Sequence, residues 1–142
     1  MPTIAEIMST GVQTIQPQDS LRRAAECMRE LDVGALPVCD GERLLGMLTD
    51  RDIVVRALAD GLNADEACVS DIMSPEVQVL LPTQDAEDAK RLMGDRQVRR
   101  LPVVDGDRRL VGIVSLGDLA TRETGHIDRA VREISEPGTA TA

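Results

Sequence analysis

The chain has 142 residues, a formal net charge of -9, 42% hydrophobic and 29% charged residues, and no Phe, Tyr or Trp. This is the make-up of one compact globular domain, or of two half-domains sharing a core. It disfavours nucleic acid as a partner, because that affinity rests on Lys and Arg against phosphate and, for single strands, on aromatic stacking. No apolar run approaches the ~20 residues of a membrane helix. The start, Met1 to Glu6, lacks the basic-then-apolar pattern of a signal peptide, so the expectation is no membrane and a cytoplasmic location.

In chain order, Thr3 and Glu6 fit a capping box that starts a short helix through Met8. Val12 to Ile15 is a short strand stopped by Pro17. Ser20 to Leu31 is an amphipathic helix with Leu21, Ala24, Ala25, Met28 and Leu31 on one stripe. A hairpin follows, Ala35 to Cys39 and Leu44 to Leu48, turning at Asp40-Gly41, and then a helix from Asp50 to about Asp60. Gly61 to Val69 is a polar connection. Ser70 before Asp71-Ile72-Met73 opens a second turn, and Val77 to Leu81 a second strand ended by Pro82. Asp85 to about Asp95 is a second helix with Ala86, Ala89, Leu92 and Met93 facing in. Arg100 to Val104 and Leu110 to Val114 form a second hairpin around Asp105-Gly106, followed by a helix from Leu116 to about Arg122. Ile127, Ala130, Val131 and Ile134 recur at helical spacing and predict a closing helix. Pro137 ends it, and the last residues, 137–142, are expected to be disordered.

The elements repeat. Ile7-Met8-Ser9 returns as Ile72-Met73-Ser74, Val12-Gln13 as Val77-Gln78, and Leu36-Pro37-Val38 as Leu101-Pro102-Val103. The offset is constant until one extra residue enters near Arg109. Beyond it Gly46 matches Gly112, Thr49 matches Ser115, and Asp52 matches Asp118. The chain therefore divides into repeat 1 (4–60), a linker (61–69), repeat 2 (70–123), a C-terminal helix (124–136) and a tail (137–142). The fold class is α+β, with two tandem βαββα repeats. One repeat alone is too small to bury a core comfortably, so the two are expected to pack together with pseudo-twofold symmetry.

Cys27, Cys39 and Cys68 are odd in number and include no CxxC pair, so neither a disulfide framework nor a zinc site is indicated. Cys27 and Cys39 fall in apolar patterns and act as small apolar residues, while Cys68 lies in the linker and is the more reactive. Asp50-Arg51-Asp52 does not make a metal site, because carboxylates two apart at a helix start do not face each other. The one histidine, His126, lies outside both repeats. No paired nucleophile and base, phosphate loop or metal-ligand spacing is present, so no enzyme, no catalytic residue and no metal are expected.

Each repeat ends in Gly-h-h-[Thr/Ser]-x-x-Asp, as Gly46-Met47-Leu48-Thr49-Asp50-Arg51-Asp52 and as Gly112-Ile113-Val114-Ser115-Leu116-Gly117-Asp118. With two βαββα units, the chain resembles the cystathionine-β-synthase (CBS) domain pair, or Bateman module, from about Ile4 to Arg122. With no catalytic or channel domain attached, it looks like a stand-alone pair, and Gly34-Ala35-Leu36-Pro37 with Leu48-Thr49-Asp50-Arg51-Asp52-Ile53-Val54 is similar to the hypoxic-response type of such pairs. The resemblance implies a homodimer and an adenosine-type ligand such as AMP, ADP or ATP. That ligand would bind in clefts between the repeats and signal to a regulated protein, with no cofactor besides. It makes Asp52 and Asp118 ribose-binding residues, since one carboxylate can accept from both hydroxyls of a diol. Thr49, Arg51, Arg99, Arg100 and Ser115 would meet phosphates, and Ile15, Ala35, Leu36, Leu80 and Leu101 would line adenine pockets. The same Thr49-x-x-Asp52 and Ser115-x-x-Asp118 spacing also fits a helix cap, and both roles can hold together. The alternative function is a dimeric interaction scaffold that has lost its ligand.

Overall fold

The computed structural model describes residues 2–75 and 77–124. The expected closing helix and tail lie outside the described residues. The elements are α1 (Ile4–Ile7), α2 (Leu21–Leu31), β1 (Ala35–Asp40), β2 (Arg43–Thr49), α3 (Asp50–Asp52) and, directly after it, a π-helical stretch at Ile53–Leu58. Next come α4 (Val69–Ile72), α5 (Ala86–Arg96), β3 (Arg100–Val104), β4 (Leu110–Ser115) and α6 (Leu116–Thr124). Among the described residues, no helix is long and apolar enough to cross a membrane.

The chain folds as two compact units that cut across the repeat boundaries. One, here the central unit, is Gln13–Val77. The other, the terminal unit, gathers residues 2–12 with residues 78–124 among those described. Each repeat's leading segment has thus joined the other repeat.

In the central unit, Ser20 caps α2, its hydroxyl accepting from the Arg23 N–H, and Asp32 closes that helix in the left-handed region. The buried stripe of α2 packs Leu21, Ala24, Cys27 and Met28 with Ile15, Leu36, Val38, Leu48, Ala57, Val69 and Ile72. β1 pairs antiparallel with β2, with a bulge between Val38 and Cys39. The expected strand at Val12–Ile15 shrinks to one residue, because Pro17 follows so closely. Ile15 makes a parallel bridge to Val38, donating to the Pro37 carbonyl and accepting from the Cys39 N–H. Cys27 and Cys39 are buried, and burial pushes the Cys39 thiol up. The linker is not loose: Ala67 and Ala64 carbonyls accept from the Leu21 and Arg22 N–H groups, and the Arg22 guanidinium grips both oxygens of Asp65.

The terminal unit repeats this plan. Asp85 and Asp88 form a capping box on α5, and Gln97 closes that helix in the left-handed region. Leu80 bridges to Val103, and β3 pairs with β4 through a bulge between Val103 and Val104. The core holds Ile4, Ile7, Leu80, Ala86, Ala89, Met93, Leu101, Val103, Val114 and Leu119.

The expected capping box of α1 does not form. Thr3 stands at the N-cap without a side-chain hydrogen bond. Carbonyls from the other repeat take over that role. Ile4 N–H donates to the Gln84 oxygen (2.7 Å) and Ala5 N–H to that of Pro82 (3.0 Å). At α4 the cap is Cys68, two residues before the expected Ser70. Val69 and Ser70 donate to the carbonyls of Asp19 and Pro17, both at 2.9 Å. Past each short helix the chain crosses a hairpin. Ser74 exchanges backbone hydrogen bonds with Met47, and Ser9 with Ile113. A Cβ on Gly46 would lie 2.4 Å from the Ser74 carbonyl oxygen, and one on Gly112 would lie 2.9 Å from that of Ser9.

These contacts set a test. Gly46→Ala and Gly112→Ala are each expected to cost about 1–3 kcal/mol through overpacking. Gly94→Ala, in α5 with open space around it, is expected to add about 0.5–1 kcal/mol. Thermal melts of the three variants check the signs.

Candidate functional site

Each unit carries one complete copy of the motif, at the junction where its hairpin's second strand enters a helix. In the central unit Thr49 ends β2 and caps α3. Its hydroxyl accepts from the Asp52 N–H (3.1 Å), and its own N–H donates to Asp52 Oδ2 (3.0 Å). In the terminal unit the Ser115 hydroxyl accepts from the Asp118 N–H (3.1 Å), and Ser115 N–H donates to Asp118 Oδ2 (2.9 Å). The capping role is therefore real in both units. A carboxylate has about four lone-pair positions, so a cap made through Oδ2 leaves each acid with acceptor capacity, and both acids are only partly buried.

The surroundings differ. Asp52 Oδ1 lies 3.9 Å from Arg56 Nε, and Arg56 Nη1 donates to the carbonyl of Ile72, the last residue of α4. Arg51 is exposed, with its backbone N–H on Asp50 Oδ1. Asp50 N–H donates to the Gly34 carbonyl, which holds the junction against the start of β1. In the terminal unit the matching bond runs from Leu116 N–H to the Arg99 carbonyl. Arg100 stands opposite Ser115 in the strand register. Burial lowers the pKa of the Arg100 guanidinium; the nearby Asp118 charge opposes that shift and Arg99 adds to it. Arg99 Nη1 is buried with no hydrogen-bond partner.

The residues expected to line adenine pockets are all buried. Ile15, Leu36, Leu80 and Leu101 are at most 2% exposed and belong to the two cores, and Ala35 is buried as well. Thr49, Arg51 and Asp52 gather in the central unit, and Arg99, Arg100, Ser115 and Asp118 in the terminal unit. Arg56 was missed from sequence. Its signal was present in the Asp52-x-x-x-Arg56 spacing, which returns as Asp118-x-x-x-Arg122.

The CBS domain family model matches this chain at residues 4–58 and 69–125. The CBS domain-containing protein YhcV of Bacillus subtilis is 44% identical over 123 residues, covering 87% of this chain and 86% of that protein. Hypoxic response protein 1 of Mycobacterium tuberculosis is 40% identical over 139 residues, covering 96% of each. A crystal structure of Hypoxic Response Protein I with two coordinated zinc ions aligns at TM-score 0.79 and 41% identity, over 86% of this chain and 99% of that one. That of CBSX2 in complex with AMP aligns at 0.76 and 30% identity, over 86% and 96%. Among the described residues here, no group of three or more His, Cys, Asp or Glu stands together to hold a metal ion.

The caps give a direct check. Asp52→Ala and Asp118→Ala are each expected to lower stability by about 0.5–2 kcal/mol. Asp52→Asn, which keeps an acceptor oxygen, is expected to recover part of the loss in urea titrations.

Proposed function

The chain belongs to the CBS domain family, and we propose that it is a regulatory module whose two units bind adenosine-type nucleotides or related adenosyl ligands and pass that occupancy to a partner protein. The observation that carries the reading is the duplicated hydroxyl–acid cap. Two junctions of the same geometry each present a partly buried carboxylate with acceptor capacity left over, beside a hydroxyl and a helix start. Asp52 and Asp118 take the ribose diol, whose two hydroxyls suit one carboxylate. Thr49 and Arg51 in one unit, and Ser115, Arg99 and Arg100 in the other, meet what the 5′ position carries. The AMP complex of CBSX2, a neighbour of the same fold, supports an adenine nucleotide as the ligand class. The homodimer implied by the family belongs to the same reading. Signalling follows from a shift in population: a ligand that engages Asp52 competes with Arg56, whose other nitrogen holds the end of α4.

A second reading, a ligand-free interaction scaffold, is favoured by the exposed apolar residues Val54, Val55, Leu58 and Leu62 on the central unit. Thermal melting with AMP, ADP, ATP, S-adenosylmethionine and NAD separates the two. A ligand at ~100 times its dissociation constant adds about 2.7 kcal/mol, several degrees for a chain of this size. The expected result is a rise with at least one of the five, lost in the Asp52→Ala/Asp118→Ala double variant. No rise with any of them favours the scaffold.

A further inference from the structure

The two units share a cap, but the terminal unit carries more positive charge around it. In the terminal unit Arg99 and Arg100 stand against one acid, Asp118, because Leu116 and Gly117 occupy the places of Asp50 and Arg51. In the central unit Asp50 and Asp52 stand against Arg51, because Gly34 and Ala35 occupy the places of Arg99 and Arg100. The arginine four residues after the acid, Arg56 or Arg122, is common to both copies and leaves the contrast intact. With that arginine counted, the balance is three cations to one acid in the terminal unit and two to two in the central unit.

Arg99 turns this count into a requirement. Its Nη1 is the only buried side-chain polar atom without a partner among the described residues. Its backbone is fixed by the bond from Leu116 N–H (2.8 Å). A guanidinium N–H removed from water and given no acceptor is costly. The planar fork of this group suits an anion with several oxygens. Gly34 makes the same backbone bond to Asp50 (2.9 Å) with no side chain at all, so the central unit has no such demand. Its nearby guanidinium, Arg56, is already set on Asp52 and the Ile72 carbonyl.

We propose that the two units take ligands of different charge: the terminal unit an adenosine-type nucleotide bearing phosphate, the central unit an adenosyl ligand whose 5′ substituent carries no negative charge. This division rests on the adenosine-type reading above. Arg99 meets the phosphate with its unpartnered nitrogen, and Arg100 adds a second charge beside Asp118. In the central unit the same phosphate would meet, among the described residues, one free guanidinium, Arg51, beside two acids, Asp50 and Asp52.

Calorimetric titration of the full chain with AMP and with adenosine tests the division. The Asp52→Ala chain keeps the terminal site. It is expected to bind AMP at least about tenfold tighter than adenosine, by a margin that shrinks as salt rises. Arg99→Gln is expected to bring the two within about twofold, and Arg99→Lys to keep part of the preference, which separates lost charge from lost packing. The Asp118→Ala chain keeps the central site and is expected to bind adenosine at least as tightly as AMP. Equal binding of both ligands by the Asp52→Ala chain, or a preference for AMP in the Asp118→Ala chain, overturns the division and leaves the nucleotide reading standing. Pyrophosphate supplies the converse case. A melting rise with pyrophosphate in the wild-type chain but not in Arg99→Gln, with no response to AMP or adenosine, keeps the terminal anion site and removes the nucleotide reading. No response to any of the three overturns both.

Discussion

The first N–H groups of α1 and α4 cannot be satisfied inside helices only four residues long, and the whole fold is arranged around where those donors go. A one-turn helix is an unfavourable nucleus on its own. Here the carbonyls of Pro82 and Gln84 receive α1, and those of Pro17 and Asp19 receive α4, so each short helix is ordered only by the other copy's strand-to-helix turn. The chain then crosses the other copy's hairpin so closely that only glycine fits beneath it, at Gly46 and at Gly112. Ile4 and Ile7 enter one core and Val69 and Ile72 the other. The compact unit is thus a hybrid of the two repeats.

This exchange also fixes the site. Ser74 holds Met47 in β2, two residues before Thr49, and Ser9 holds Ile113 in β4, two residues before Ser115. The strand end that presents the hydroxyl is therefore anchored by the crossing segment, and the cap that follows sets the acid. In the central unit Arg56 adds a direct tie from Asp52 to the end of α4. The acid proposed to meet a ribose is thereby linked, through Arg56, to the segment whose crossing closes that unit.

Much of this was legible in the sequence. The repeat was visible because its anchors are punctuation, Ile-Met-Ser, Leu-Pro-Val and the glycine of the motif, each required by local geometry. The helices at Leu21–Leu31 and Ala86–Arg96 and both hairpins follow from hydrophobic period and turn residues. The hydroxyl–acid pairs were found at the right junctions, and their cap was foreseen as one of two roles. The exchange of leading segments was not legible, because the acceptors for α1 and α4 are backbone carbonyls that leave no trace in residue identity. The same gap explains the capping box expected at Thr3: sequence shows a side chain able to cap and cannot show a carbonyl that does so first. The residues expected to line adenine pockets show a related ambiguity. Ile15, Leu36, Leu80 and Leu101 suit an aliphatic pocket and a core equally well, and strand pairing chose the core. Arg56 needed only the i,i+4 rule applied to the acid itself.

Cutting the chain at two different sets of boundaries tests the exchange most directly. A fragment spanning 13–77 contains the central unit with its borrowed α4, whereas one spanning 4–60 contains the repeat as the sequence defines it, with α1 and without α4. Circular dichroism during thermal melting should show a cooperative transition for 13–77 and none for 4–60. A cooperative melt for 4–60, with 13–77 unfolded throughout, would contradict the account.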